Sequence, residues 1–182
     1  MKILRCHGIV FCLLLLAPPA IRSQALDLPP ILLEKLEAME AELLLPLDSD
    51  YRVIPGREDD FQPCDFAIRS RKEGMEMRFL LLPTDYPHVL AVRTATPVAT
   101  NDPQAPIALL TLGAEELLLF HADWGVEYVF TPKPGFSEHR FGKLMVLHKE
   151  GRGAVMVFFL FDEADNPAID MRYQCVEFKD YK

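Results

Sequence analysis

The sequence predicts an α+β fold: an antiparallel β-sheet covered by helices, forming a single domain after a cleaved leader. Three observations carry this expectation. Residues 126–162 read VEYVFTP, GKLMVLHKE and GAVMVFFLFD, three strands separated by turns. Strand-like alternation also runs through Met75 to Leu82. Helical spacing of apolar residues is confined to two stretches, 29–45 and 112–124. Strand neighbours joined by short turns pair antiparallel. Helices segregated from runs of strands indicate α+β rather than a βαβ repeat.

The first 25 residues have the composition of a secretory signal peptide. Lys2 and Arg5 give a basic start, residues 8–17 form an apolar run, and Pro18-Pro19 and small residues follow. That is a leader pattern, with cleavage expected near 23–25. The run falls short of the about 20 apolar residues that a transmembrane helix needs. The expected location is therefore extracytoplasmic, secreted or periplasmic, with no integral membrane segment once the leader is gone. Losing Lys2, Arg5 and Arg22 would take the formal charge from −8 to −11, three positive charges fewer. Nucleic-acid affinity comes largely from Lys and Arg neutralising phosphates, so so acidic a body excludes nucleic acid as a partner class.

Cys6 and Cys12 fall inside the leader, which leaves Cys64 and Cys175. In an oxidising compartment such a pair is a candidate disulfide. Closing the long loop between them would contribute roughly 4–5 kcal/mol in the chain-entropy model. Two buried free thiols are the other reading. There is no Cys-x-x-Cys, which excludes zinc ribbons and thioredoxin-like redox chemistry.

After the leader, residues 26–46 form an expected N-terminal helix and 47–182 a globular domain. The helix is read over Pro29 to Leu45. Pro30 suits its first turn, Leu32, Leu36, Met39 and Leu43 make one apolar stripe, and Pro46 ends it. Residues 48–64 are polar and turn-rich. Asp65 to Arg71 and Met75 to Leu82 read as a hairpin around the tripeptide KEG. Met75, Met77, Phe79 and Leu81 share one face of it and Glu76 and Arg78 the other, which predicts one wet face. The same tripeptide recurs at Lys149-Glu150-Gly151 between two strands, as shared hairpin-turn chemistry would produce.

Residues 83–106 hold five prolines and read as an irregular connection; long connections of this kind often border a site. Leu112 to Trp124 reads as a helix with Thr111 as N-cap, Glu115 and Glu116 at the positive end of its dipole, and Gly125 as its stop. In the next strands Leu144, Val146 and His148 share one face, and Met145, Leu147 and Lys149 the other. Residues 154–161 contain no polar member and suit a central strand covered on both faces. A last strand is expected over Ile169 to Phe178, with Met171, Tyr173 and Cys175 on one side.

Catalytic chemistry is hard to find in this chain. Ser137, in GFSEH, begins like a nucleophile elbow but lacks the second glycine and lies between strands. Glu138 and His139 adjoin it, yet sequence neighbours rarely face each other. The oxygen-rich turn of Asp162, Glu163, Asp165 and Asn166 lacks EF-hand spacing, and no phosphate loop or dinucleotide fingerprint is present. No cofactor, metal or catalytic residue is assigned. The residues singled out as a speculative ligand-binding set are His88 beside the proline-rich connection and His121, Asp123 and Trp124 at one helix end.

The order and spacing of these segments resemble the PsbP-like α/β/α sandwich. The segments are DFAIRSRKEGMEMRFLLLP, then LGAEELLLFHADWG, then YVFTPKPGF, GKLMVLHKEGRG and VMVFFLFD, within Tyr51 to Phe178. The resemblance implies a non-catalytic binding or assembly module, and it brings no catalytic residues with it. The functional expectation is thus a secreted or periplasmic non-enzymatic domain that binds a protein partner or a small ligand. Two alternatives accompany it: a hydrolase-like enzyme using His121 or His139, and a carrier with an apolar cavity lined by Phe and Met.

Overall fold

The computed structural model describes residues 26–45, 50–55, 63–84, 96–102, 104–105 and 108–180. The leader-like segment 1–25 and His88 lie outside them. Among the described residues the elements run α1 (Pro30–Ala38), β1 (Ala41–Leu43), β2 (Arg52–Val53), β3 (Phe66–Ser70), β4 (Met75–Leu82), β5 (Ala108–Thr111), α2 (Ala114–Phe120), β6 (Trp124–Phe130), β7 (Phe141–Lys149), β8 (Gly153–Phe161), α3 (Ala168–Arg172) and β9 (Val176–Phe178). A seven-stranded sheet takes the order β2-β3-β4-β8-β7-β6-β5, antiparallel throughout, and β1 pairs with β9 apart from it. This is an α+β fold, as the alternation predicts.

The register assigns every side chain to one of two faces. Strand β8 is the middle of seven, and all nine of its residues are buried. On the first face Val155, Val157 and Phe159 meet Met77, Phe79 and Leu81 of β4 and Met145 and Leu147 of β7. Leu32 and Leu36 of α1, Phe120 of α2, Ile169 of α3 and Val176 and Phe178 of β9 close over them. On the second face Met156, Phe158 and Leu160 meet Leu80, Leu144 and Val146. Among the described residues this side is covered in part by a helical stretch at residues 96–98. Its lid is made by Val98, Ala99 and Phe136. Ala99 bridges Pro132, and the Lys133 N–H donates to the Val98 carbonyl at 2.8 Å, so the two covering segments hold each other.

Several expected elements are corrected. The first helix stops at Ala38 instead of Leu45, because Glu40 turns the backbone to φ 48° and Ala41–Leu43 pairs with Val176–Phe178. The second helix is shorter than 112–124. It begins after Gly113, whose N–H donates to the Glu116 carboxylate at 2.7 Å, and ends where His121 takes a left-handed φ of 51°. Trp124 and Gly125 lie in β6. The expected last strand, 169–178, is half helix. The Asn166 side-chain oxygen accepts the Ala168 N–H at 2.9 Å and starts α3, leaving only Val176–Phe178 as strand. The face of β4 carrying Glu76 and Arg78 is dry, because Phe136 and its loop lie over it. Cys64 and Cys175 are separate thiols and form no disulfide. Cys175 is enclosed in the first-face core, where burial pushes its thiol up to about 12.

Both KEG turns end on a glycine in the left-handed region, Gly74 at φ 59° and Gly151 at φ 71°, each with open space where a Cβ would stand. Gly153 differs. Its φ is 105°, and a Cβ there would lie 2.1 Å from the Leu82 carbonyl oxygen. Gly151→Ala is expected to cost about 1–2 kcal/mol, the left-handed penalty of an L-residue. Gly153→Ala is expected to cost more, because strand β4 must also move. Urea denaturation of the two variants checks the order.

Candidate functional site

The densest polar cluster sits on the second face, where the hydrophobic pattern of β4 is interrupted. Glu76 and Arg78 are only 1% and 3% exposed. The Arg69 Nε donates to Glu76 Oε2 at 2.9 Å, and its Nη2 reaches the same oxygen. The Arg78 Nε donates to Oε1 at 2.7 Å. Arg78 then donates through Nη2 to the Phe136 carbonyl at 3.0 Å and lies 4.6 Å from the centre of the Phe136 ring. Burial by itself raises the Glu76 carboxyl, but the Arg69 and Arg78 guanidiniums outweigh it and hold the group below the usual carboxylate range.

His139 adjoins this trio. Its Nε2 stands 4.0 Å from Glu76 Oε2, and its Nδ1 stands 3.1 Å from Asp162 Oδ2. A cavity of about 390 Å³ opens beside it, lined by Arg69, Ser70, Arg71, Glu138, His139 and Asp162 among others. Ser137 is buried and its Oγ accepts the backbone N–H of His139 at 3.1 Å. The imidazole therefore faces two carboxylates and the hydroxyl is engaged by the loop. Acyl transfer needs the serine and the histidine ring bonded to each other, and that contact is not made here. Among the described residues no group of three His, Cys, Asp or Glu is placed to hold a metal.

The residues read from the sequence as a binding set are not brought together. His121 caps α2 and its Nδ1 donates to the Phe178 carbonyl at 2.8 Å, which ties the helix to β9 on the first face. Asp123 accepts from Lys149 Nζ at 3.0 Å and from the Glu150 N–H at 2.7 Å, securing the β7–β8 hairpin. Trp124 turns to the second face and stacks on His148, with ring centres 5.3 Å apart and planes 19° apart. His148 Nδ1 is closed off from solvent and has no hydrogen-bond partner among the described residues. The cluster that does form joins Glu76 to His139 and Asp162 across the sheet. Its sequence signal was the pair of charges inside a strand of otherwise apolar alternation.

A second polar group lies on the first face. Lys143 Nζ is 3.0 Å from Glu127 Oε2 and 5.3 Å from the centre of the Tyr173 ring. Burial first, then the Glu127 and Glu116 carboxylates, raise the Tyr173 phenol above its ordinary value. The neighbouring cavity, about 470 Å³, is lined by Lys143, Phe161, Asp165, Asn166, Ile169 and Asp170 among others. Among the described residues its lining is mixed, with Phe161 and Ile169 beside Lys143, Asp165 and Asp170.

At the far edge, β5 is exposed along all four residues, with Leu109 51% and Leu110 54% exposed. Two residues further on, α2 leaves Leu118 and Leu119 in solvent, Leu118 at 72%. Among the described residues no helix is long and apolar enough to cross a membrane.

The depressed Glu76 carboxyl fixes the sign of one pH effect. A group whose folded pKa lies below its unfolded value contributes stability above the unfolded pKa and loses it as pH falls through the folded one. Glu76→Gln is expected to lower stability at neutral pH by about 3–5 kcal/mol, the cost of leaving buried guanidinium charge unpaired. It is also expected to remove part of the stability loss on acidification, which in the parent sets in as pH falls through the folded pKa of Glu76. Denaturation at a series of pH values measures both effects.

No protein-family model, curated protein or solved structure matches this chain.

Proposed function

We propose that the chain is a non-catalytic binding domain acting outside the cytoplasm, and that it docks an extended segment of a protein partner along β5. The observation that carries this reading is the free edge. β5 is last in the sheet order, and among the described residues no strand lies beyond it. Its outward N–H and C=O groups are a template for another strand. Natural edges are commonly blunted by Lys, Pro or a bulge. Residues 108–111 are Ala-Leu-Leu-Thr, with no charge and no proline. The half-exposed leucines of β5 add apolar contacts to such a pairing.

The occupant follows from charge. The chain carries a formal −8, and Glu115 and Glu116 stand at the start of α2 close to the edge in sequence. An apolar strand with basic flanks is complementary to that field, whereas a second copy of an equally acidic chain is repelled. The leader-like composition of residues 1–25 supports export. The resemblance of the order and spacing of its sequence segments to PsbP-like domains supports a binding or assembly role.

A photo-crosslinker placed at position 109, in cells that make the protein, is expected to yield one discrete adduct with a different protein. Leu110→Lys should abolish it while leaving the thermal melt unchanged, since exposed substitutions shift stability by no more than about 0.5 kcal/mol. An adduct with a second copy of this chain, or no adduct at all, overturns the reading.

A further inference from the structure

At the opposite edge of the sheet from β5, strands β2 and β3 enclose a pocket of about 270 Å³ lined by Asp50, Arg52, Val53, Ile54, Arg69 and Arg71. Among the described residues that line it, three are arginines, in a chain of net charge −8. We propose that this corner is an oxyanion-binding site, which takes a carboxylate or phosphate group through Arg52 and Arg71 with Arg69 as the third cation.

The charges explain why the corner asks for an anion. Among the described residues Asp50 is the one acid lining the pocket, and it is already engaged: its Oδ1 accepts the Ser70 hydroxyl and its Oδ2 the Lys72 N–H at 3.1 Å. Arg69 is bound to Glu76. Arg52 and Arg71 have no carboxylate partner among the described residues, and Arg52 lies directly opposite Arg69 in the antiparallel register. Like charges directly opposite each other weaken strand pairing. An oxyanion between them turns that repulsion into charge-assisted hydrogen bonds, and the planar guanidinium fork matches carboxylate and phosphate oxygens two at a time. The pocket equals about nine water volumes, which suits one such group on a small organic body rather than a polyanion. Val53 and Ile54 give that body an apolar wall. The site is independent of the β5 edge, and either reading can fail without the other.

The test is a titration of the full chain with inorganic phosphate and, separately, with acetate, at constant chloride, followed by backbone amide NMR. Saturable shifts are expected at residues 52–54 and 69–72, at least about tenfold weaker in Arg71→Gln. Whichever anion binds more tightly names the preferred group, and either order supports the site. The thermal melts add a readout that a structural role alone does not produce. Without anion, Arg52→Gln should melt above the parent, because a cross-strand repulsion is gone. At saturating phosphate the parent gains and the variant does not, so the order reverses. Shifts that are non-saturable, or unchanged by Arg71→Gln, overturn the proposal, as does equal stabilisation of parent and Arg52→Gln by phosphate.

Discussion

The rest of the structure depends on β8 being apolar over its whole length. A strand whose nine residues are all buried must have neighbours on both sides and cover on both faces. That condition places β4 and β7 beside it and forces the chain to build two different lids. One is a layer of short helices with the β1–β9 pair. The other is a helical turn at residues 96–98 running into Ala99, together with loop 131–140, held to each other by the Ala99–Pro132 bridge. Residues fully buried in such a core each contribute about 1.5–3 kcal/mol of transfer free energy, so losing either lid would expose the apolar residues of the face it covers.

The second lid has a polar anchor. Desolvating Glu76 and Arg78 is costly, and a buried ion pair is weak support for stability in itself. Its effect here is on position. Arg78 donates to the Phe136 carbonyl and lies over its ring, and those contacts hold loop 131–140 in place on the sheet. The trio also fixes the β3–β4 register, because a one-residue slip would send Glu76 and Arg78 into the helix-covered face among Met77, Phe79 and Val157. Charge in the core thus specifies an arrangement that apolar packing alone would leave looser.

What the sequence made legible follows the reach of each signal. Strands β4, β7 and β8 are long, with period-two alternation or unbroken apolar runs, and their face assignments agree with the register. The KEG hairpins were readable because the left-handed glycine is a local requirement. β1, β2 and β5 were not readable. Each spans two to four residues, too few for periodicity, and β1 is a strand only because Val176–Phe178 comes to lie beside it. Helical spacing around Trp124 misled because Leu117, Phe120 and Trp124 fit one stripe, while His121 breaks the helix between them. The candidate site was hidden for a related reason. Glu76 and Arg78 look solvated in one strand, and only Phe136, far along the chain, makes them buried. His121, Asp123 and Trp124 are neighbours in sequence whose side chains serve a helix cap, a hairpin turn and the second-face core.

Among the described residues an apolar unpaired edge at β5 and a cationic pocket at β2–β3 lie at the two ends of the sheet, whose central strands are occupied with one another. Hydrogen–deuterium exchange tests that occupancy most directly. The amides of residues 154–161 should exchange only through global unfolding, with a protection free energy equal to that from denaturation, and should be matched by their partners in β4 and β7. Exchange along β8 that is faster than global unfolding allows, or faster than in the edge strands β2 and β5, would contradict a sheet whose two faces are both dry and whose middle strand is its most stable part.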